Sequence, residues 1–548
     1  MKNVFRPKLI DSIKGYTGKQ LVSDLVAGLI VAIIALPLSI ALAIASGVSP
    51  EKGIYTAIVA GFVIALLGGS RVNISGPTAA FATIVAGIVA EFGVSGLVIA
   101  TIMAGILLIL MGVLKFGSLI KYIPCTITTG FTSGIAVTIV VGQIKDFLGL
   151  TFAPGTHAVE TMEKVEAVAH SIGTFNPWAL LVGGIGLLIL IVWPMLGKIG
   201  KKVPASLIAV IVGTVIVKVF DMNVNTIGDL YTISGTLPKF SLPAIDMSLV
   251  TALLPSAFTI ALLAGIESLL SCVVSDGMIG DRHNSNTELI AQGVGNIFSG
   301  LFGGIPATGA IARTAANVKN GGRSPIAGMV HALVLLLVLV VLMPYAAWIP
   351  MPIIAAILFM VAYNMSEWRG FVKLCKTAPL ADIVVLVATF VLTVVFDLVV
   401  AIAVGMVLAV VFFMKRMADN TRVRVWRKGE DGINSRLKSV PDGVMVVEID
   451  GPMFFASSDK FGNITADEDT KVLVLRMHDV PALDATATKT LFAIQKQCEN
   501  AGITLLLSHV NEQPMSVMKR AAFDVAVGEG NFFPNIDAAL DYASELIK

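Results

Sequence analysis

The chain has 548 residues, of which 56% are apolar and only 14% are charged. Because an ordinary soluble protein carries roughly 25% charged residues, this composition excludes a soluble globular enzyme. The formal net charge of +2 also argues against an extended basic face for nucleic acid.

The charged residues are concentrated toward the C-terminus. Residues 417–548 hold 33 charged side chains, about 25% of that stretch, against about 10% of the first 416 residues. The sequence therefore predicts a cytoplasmic N-terminal segment over 1–20, a membrane domain over 21–416, a linker over 417–440 and a small soluble domain over 441–548. The first segment is basic and amphipathic and leads directly into a full-length span, so we expect no cleaved signal peptide.

Eleven runs are apolar enough to cross a bilayer as helices, since its hydrocarbon core needs about 20 apolar residues. They lie at about 24–46, 53–69, 96–114, 122–143, 177–196, 203–220, 250–275, 325–348, 351–365, 381–396 and 397–415. Two weaker regions, 72–91 and 286–319, are interrupted by glycine, proline and polar residues, and the second is long enough for one span plus a broken one. The sequence therefore predicts about 14 segments.

Basic residues fall in alternate connections between these spans. Short cytoplasmic loops of membrane proteins are rich in lysine and arginine, so the bias favours an even number of spans with both termini in the cytoplasm. The expected inner connections carry, for example, Lys14, Arg71, Lys115, Arg282 and Lys373, and the expected outer ones are relatively acidic, with Glu160, Glu163, Glu166, Asp221, Asp229 and Asp246.

After Arg416 the hydrophobic pattern changes. Short strand-like runs at 444–449, 471–477 and 503–510 alternate with helical stretches such as ATATKTLFAIQKQCENAG. This alternation predicts a small α/β domain on the inner face of the membrane. The preceding stretch RVRVWRKGEDGINS is polar and reads as a linker.

The two interrupted segments form a pair. One contains Ser75-Gly76-Pro77-Thr78-Ala79-Ala80-Phe81, and the other contains Pro306-Ala307-Thr308-Gly309-Ala310-Ile311-Ala312-Arg313. In secondary transporters, broken helices at matching places of two inverted halves direct free N–H groups and positive dipole ends at an anion near the bilayer midplane. This pairing predicts an anion site at the two breaks, where the small residues that follow let a ligand approach the backbone closely. The alternative is that both breaks are ordinary kinks of membrane helices.

Arg313 strengthens the prediction of an anion site. A cation at this depth costs about 2.5 to 3.5 kcal/mol on insertion scales, so it should face a cavity, carry function or find a partner. Its guanidinium matches carboxylates and oxyanions through two parallel hydrogen bonds. The alternative is that Arg313 extends to the cytoplasmic surface beside Lys319 and Arg323.

Glu267 is the second charge inside an apolar span, with Ser268 and Ser271 close by on the same helix. A carboxyl group there loses hydration and is suited to taking up a proton, which predicts a coupling group. Two alternatives stay open: a structural ion pair with Arg313, or a sodium ligand assisted by the serine hydroxyls.

The four cysteines, Cys125, Cys272, Cys375 and Cys498, are far apart and have no CxxC spacing or histidine cluster beside them. We therefore expect neither a disulfide framework nor a metal site, and no cofactor.

Several long motifs resemble those of one family. DLVAGLIVAIIALPLSIALAIASGVSPEKGIYTAIVAGFVIALLGGSRVNISGPTAAF resembles the first-span signature of the SulP anion transporters, the sulfate permease or solute carrier 26 group, and NTELIAQGVGNIFSGLFGG with AIARTAANVKNGGRSP resembles the second-half signature. The C-terminal domain resembles a STAS domain, so the similarity covers nearly the whole chain.

This resemblance implies an all-α membrane domain of fourteen segments in two inverted sevens with two half-helices, core and gate parts, elevator-like movement, homodimers and no enzyme activity. It also implies that Ala79 to Phe81 and Gly309 to Ile311 line the anion site beside Arg313, and that Glu267 is the acidic position of the eighth span.

The choice of substrate rests on a departure from the family pattern. Many members have glutamine after the first-span proline, whereas this chain has Leu38 after Pro37. Together with the motifs GIESLLSCVVSDGM and SGPTAAF, Leu38 makes the chain most similar to the bacterial C4-dicarboxylate branch of the family. That resemblance implies proton-coupled uptake of succinate, fumarate or aspartate across the inner membrane. The alternatives are a bicarbonate or sulfate transporter, with sodium as a further candidate for the coupling ion, and a membrane anion sensor that signals to a partner protein through its STAS domain.

In the tail, DVPALDATATKTLFAI resembles the STAS loop and helix that bind nucleotide or are phosphorylated in signalling relatives. Asp484 and Thr486 lie in that loop. The alternative, a packing and dimer-contact module without chemistry, is favoured because short motif matches often fail.

Overall fold

The computed structural model describes residues 5–118, 124–153, 158, 160–197, 200, 203–243, 247–396, 398–427, 440–462, 464, 466 and 469–548, without the side chains of 398 and 399. The chain forms two compact units, Met1–Met406 and Val407–Lys548. Half of the predicted linker, residues 428–439, lies outside the described residues, as does Asp246.

The described residues of the first half of the membrane unit form seven membrane segments. Its helices are α1 (Lys8–Ile13), α2 (Gly18–Ala45), α3 (Pro50–Leu67), α4 (Ala82–Val113), α5 (Cys125–Leu148), α6 (Thr161–Ser171), α7 (Pro177–Val192), α8 (Ala205–Val219) and α9 (Ile227–Leu230). Helix α4 supplies two of the segments, because Gly93 breaks it with a left-handed φ of 68°. The helices α1, α6 and α9 are too short or too polar to cross a bilayer.

In the second half, the ranges that the structure describes also form seven membrane segments. Its helices are α10 (Met247–Ile279), α11 (Ser285–Leu301), α12 (Ile311–Lys319), α13 (Pro325–Ala346), α14 (Met351–Ser366), α15 (Trp368–Thr377), α16 (Leu380–Val395) and α17 (Leu398–Asn420). Helix α15 is a short amphipathic connection. Within the described ranges, nine helical stretches are long and apolar enough to span a bilayer, and α8 and α16 are shorter apolar helices.

The two halves match in order. A two-residue strand, β1 (Ser75–Gly76), precedes the third segment of the first half, and β2 (Thr308–Gly309) precedes the third segment of the second. Since each half has an odd number of segments, the second half enters the membrane from the opposite side, and matching elements must run in opposite directions. The strands β1 and β2 do pair antiparallel. The predicted fourteen segments in two inverted halves, with two broken helices, are confirmed.

Glycine lets two central helices touch. A Cβ built on Gly105 of α4 would lie 2.6 Å from the carbonyl oxygen of Gly293 of α11, and one on Gly293 would lie 2.5 Å from that of Gly105. Backbone contact of this kind is how membrane helices pack, because lipid gives no hydrophobic drive for their association. It fixes α11 against α4 beside the strand pair.

The second unit contains a five-stranded sheet in the order β3 (Arg422–Trp426), β4 (Val444–Asp450), β5 (Val472–Asp479), β6 (Thr504–Ser508) and β7 (Phe532–Phe533). Strand β3 runs antiparallel to β4, and the other neighbours are parallel. The remaining helices are α18 (Ser458–Gly462), α19 (Ala485–Ala501), α20 (Glu512–Arg520), α21 (Phe523–Val527) and α22 (Ile536–Ile547). Apolar clusters fill both faces of the sheet, which explains the continuous apolar runs of β4 and β5. The predicted α/β domain is confirmed.

Candidate anion site

The candidate site is built around the pair of two-residue strands. Ser75 pairs with Gly309, and Gly76 pairs with Thr308. The chain leaves β1 through Pro77 and Thr78 into a 3-10 turn, Ala79–Phe81, that runs into α4. It leaves β2 through Ala310 directly into α12. The two broken helices that the sequence predicts therefore begin on either side of one small strand pair.

The backbone N–H groups at these two starts are not occupied by side-chain caps. The N-cap residue of the 3-10 turn, Thr78, uses its hydroxyl to donate to Oε2 of Glu267 at 3.0 Å instead. The N-cap of α12 is Ala310, whose side chain cannot accept a hydrogen bond. The first N–H groups of a helix carry a partial positive charge, so both starts are suited to binding an anion.

The predicted lining residues differ in exposure. Ala79, Ala80 and Phe81 are buried, and Phe81 is only 1% exposed. Gly309 is buried within the strand pair, Thr78 and Ala310 are partly buried, and Ile311 is exposed. The structure thus brings all the predicted residues to the two helix starts, with Phe81 packed inward and Ile311 the most open to the surroundings.

Arg313 lies beneath the strand pair rather than at the surface. It is 5% exposed, and its Nη2 donates to the carbonyl oxygen of Pro77, which ties α12 to the start of the other broken helix. Its Nη1 has no hydrogen-bond partner among the described residues. A Cβ on Gly76 would lie 2.7 Å from this Nη1, so glycine is needed for the guanidinium to approach the backbone. The alternative of a surface-reaching arginine does not match this placement.

Glu267 faces the same region from α10. Its contact with Thr78 joins the helix that carries the acid to the first broken helix. Within the part of the chain that the structure describes, no ion pair joins Glu267 to Arg313. The alternative of a structural ion pair between them therefore does not match the geometry.

The two serines hold the strand pair in place. Ser268 Oγ lies 2.8 Å from Thr308 Oγ1 and accepts a hydrogen bond from the backbone N–H of Gly309 at 2.9 Å. Ser271 Oγ donates to Oδ1 of Asn73 at 2.7 Å. Both serines are fully buried. Their hydroxyls are thus engaged in the protein interior, and a role as ligands of a coupling ion stays a prediction.

A buried polar network beside the site was missed by the sequence reasoning. Asn73, just before β1, donates through Nδ2 to Oε1 of Glu288 at 2.8 Å, and its Oδ1 accepts from Ser271 and from Thr314. Gln292 donates to the same Glu288 oxygen at 3.0 Å and to Ser75 Oγ at 2.9 Å. Glu288, Gln292 and Asn296 are spaced by four residues, and that polar stripe on a membrane helix was the available signal.

Two inverted halves of a polytopic bundle, with two broken helices starting at one strand pair, are an arrangement typical of membrane transporters. Comparison with known proteins gives the family. The model of the sulfate permease family matches residues 21–389, and that of the STAS domain matches residues 436–539. The chain belongs to the sulfate permease family and is an anion transporter rather than an enzyme.

Relatives match along nearly the full chain. A Bacillus subtilis protein named as the putative sulfate transporter YvdB is 40% identical over 96% of this chain and 98% of its own length. The bicarbonate transporter BicA of a Picosynechococcus species is 32% identical over 82% of this chain and 81% of its own.

Solved structures agree with the fold. The transmembrane domain of a cyanobacterial bicarbonate transporter BicA has a TM-score of 0.64 at 32% identity, covering 71% of this chain and 98% of that one. The murine solute carrier 26 member A9, an anion transporter in the inward-facing state, has a TM-score of 0.89 at 19% identity, covering 98% and 94%. The second likeness shows the fold alone.

Proposed function

We propose that this chain is a secondary active transporter of a small oxyanion, bicarbonate or sulfate, which binds between the starts of the two broken helices. The observation that carries the proposal is the antiparallel pairing of β1 with β2, which brings two helix N-termini together with the guanidinium of Arg313. The similar proteins named for sulfate and bicarbonate favour this choice over the dicarboxylate expected from Leu38.

Binding follows from charge and hydrogen bonding. Each helix start contributes a partial positive charge of roughly half an elementary charge and several N–H donors. The free Nη1 of Arg313 supplies a further donor, and guanidinium is suited to planar and tetrahedral oxyanions alike. Small side chains at Ala79, Ala80, Gly309 and Ala310 let the anion approach the backbone.

Coupling follows from the position of Glu267. While its carboxylate is ionised, it offsets the positive charge of Arg313, and the site attracts an anion only through the helix dipoles. A proton or sodium ion at Glu267 removes that offset, so the cation and the anion strengthen each other's binding. Such mutual strengthening is reciprocal by thermodynamic linkage, and it is what symport requires.

Proton-coupled uptake of C4-dicarboxylates is the second candidate. The observation in its favour is Leu38 in place of the glutamine that many family members have. A dianion such as succinate would place one carboxylate at each helix start.

The substrate test is uptake into proteoliposomes. Labelled bicarbonate, sulfate and succinate would be offered separately to the purified full chain, each with an imposed pH gradient, a sodium gradient or neither. We expect accumulation of bicarbonate or sulfate under one of the gradients. Accumulation of succinate alone would support the second candidate, and no accumulation of any of the three would refute both.

The coupling test is Glu267→Gln, which imitates the protonated acid. We expect it to abolish gradient-driven accumulation while retaining anion exchange, because the site stays positively charged without a cation. Glu91→Gln, at an exposed acid on α4, is the matched control and should behave as wild type. Unchanged accumulation in the Glu267→Gln protein would contradict the assignment.

Three broader features belong to the same proposal. We place both termini in the cytoplasm of a bacterial inner-membrane protein, as the lysine and arginine bias favours. We expect a homodimer with elevator-like movement, whose STAS domain regulates transport or assists assembly through a partner protein. Removal of residues 417–548 separates this from the anion-sensor alternative: a transporter keeps substrate flux at a reduced rate, whereas a sensor loses its output.

A further inference from the structure

A groove in the membrane unit is separate from the candidate anion site. It lies between α2, α8 and α13, has a volume of about 350 Å³ and is lined almost entirely by apolar side chains. It is lined on one side by residues of α8 at helical spacing, among them Leu207, Ile211 and Thr214. Val338 and Leu342 of α13 also line it. All three helices are among the membrane segments, and the apolar lining of the groove matches lipid acyl chains chemically.

One end of the groove carries groups typical of the membrane interface. Tyr345 and Trp348 line it there, with ring centroids 5.3 Å apart, and both are partly exposed. The ammonium of Lys218, at the end of α8, lies 3.4 Å from the centroid of the Trp348 ring. Tryptophan, tyrosine and lysine at a helix end mark the level of lipid headgroups. Among the described residues, no carboxylate forms an ion pair with Lys218.

A single polar group lies deeper in the groove. Thr214 Oγ1 is buried and has no hydrogen-bond partner among the described residues, although threonine in a helix commonly bonds to the preceding turn. Thr214 and Lys218 are four residues apart, so they lie on one face of α8, about 6 Å apart along its axis. A buried hydroxyl without a partner is costly, so a ligand group that accepts its hydrogen bond stabilises it.

We propose that this groove binds one glycerophospholipid. Its phosphate contacts the ammonium of Lys218, an ester carbonyl one helical turn deeper accepts a hydrogen bond from Thr214, and an acyl chain lies along the apolar stripe of α8 toward Leu207. The order of charge, hydroxyl and apolar surface along α8 matches the order of phosphate, ester and chain along the lipid. This inference does not depend on the proposed substrate or coupling ion.

The test is native mass spectrometry of the delipidated full chain titrated with dioleoylphosphatidylglycerol. We expect saturable binding of one lipid per protomer. Val338→Trp, which fills the groove, should reduce binding to the unspecific background. The matched control is Val340→Trp, on the same helix at an exposed position outside the groove, and it should bind as wild type.

Two further variants test the polar contacts. Lys218→Ala should weaken lipid binding about fivefold, which corresponds to the roughly 1 kcal/mol of one basic residue at a membrane surface. Lys239→Ala, at an exposed lysine elsewhere, is its control. Thr214→Val keeps the shape of the side chain, removes the hydroxyl and should also weaken binding.

Other outcomes would overturn the proposal. Equal lipid binding by Val338→Trp and Val340→Trp would show that the lipid lies elsewhere. Selective loss of the dimer in Val338→Trp, with no lipid bound by wild type, would assign the groove to a second copy of the chain.

The melting temperatures of the two tryptophan variants control for folding. Equal melting temperatures would show that any difference in lipid binding does not arise from misfolding.

Discussion

Asn73 is the side chain whose removal tests the support of the candidate site most directly. It is 8% exposed, lies two residues before the start of β1 and makes three side-chain hydrogen bonds. Nδ2 donates to Glu288 at 2.8 Å, and Oδ1 accepts from Ser271 at 2.7 Å and from Thr314 at 3.0 Å. Asn73 therefore links three helices, α10, α11 and α12, to the segment just before β1. We predict that Asn73→Ala destabilises the membrane unit and impairs transport.

The size of the effect follows from these contacts. A hydrogen bond to a charged group contributes about 1.5 to 3 kcal/mol, and a neutral one about 0.5 to 1.5 kcal/mol. Once Asn73 is removed, Ser271 can donate its hydroxyl proton to Thr314 Oγ1 instead, 3.1 Å away, so the loss of the two hydroxyl contacts costs an amount at the lower end of this range. We expect a total of about 3 kcal/mol, a large part of the marginal stability of a folded protein.

The assay is thermal melting of the detergent-purified chain, followed by size-exclusion chromatography, together with uptake in proteoliposomes. Asn364→Ala, at an exposed asparagine of α14, is the matched control and should melt as wild type. Asn73→Asp separates hydrogen bonding from packing, because it keeps the shape but directs an acceptor at Glu288. If both Asn73 variants melted with the control, the network would not support the site, and the reasoning would be wrong.

Two further predictions concern other contacts. Gly309→Ala should abolish most transport, because its Cβ would lie 3.0 Å from the Cα of Ser268, whereas Gly87→Ala, with open space around it, should transport as wild type in the same uptake assay. Lys460→Ala should speed the exchange of backbone amide hydrogens at the end of α17, because Lys460 Nζ donates to three main-chain carbonyls there at 2.8 to 3.0 Å. The control is Lys489→Ala, at an exposed lysine of α19, which should leave this exchange unchanged. Equal exchange rates in the two variants would refute the capping role of Lys460.

The membrane architecture could be predicted from sequence because each span is a local property. A bilayer imposes a length of about 20 apolar residues on every crossing helix, so runs such as 24–46 are visible without knowledge of their neighbours. The broken helices were visible for a similar reason, since glycine and proline interrupt apolar runs at 72–91 and 286–319. The sequence placed α10 over 250–275, and the structure extends it to Met247–Ile279, because helix ends continue beyond the apolar stretch.

The polar support of the site could not be predicted in the same way. Asn73 and Glu288 are 215 residues apart, and nothing in the local pattern of either segment identifies the other as its partner. The roles of Ser268 and Ser271 were open for the same reason. Their position beside Glu267 on one helix favours a cation site. In the structure, Ser268 accepts a hydrogen bond from Gly309 and Ser271 donates one to Asn73, and both of these partners lie on other segments of the bundle.

Strands of two residues cannot hold two halves of a membrane protein together by themselves. The pair β1 and β2 provides few backbone hydrogen bonds, and each neutral bond contributes only about 0.5 to 1.5 kcal/mol. The contacts of Ser268 with Gly309, of Gln292 with Ser75 and of Arg313 with Pro77 make the pair part of one continuous unit. Because these contacts link the two broken helices to α10 and α11, we expect the anion site to move as a rigid body and not to open between its own strands. A cross-link that joins β1 to β2 should therefore leave transport intact, whereas one that immobilises α10 against the remaining helices of the bundle should stop it.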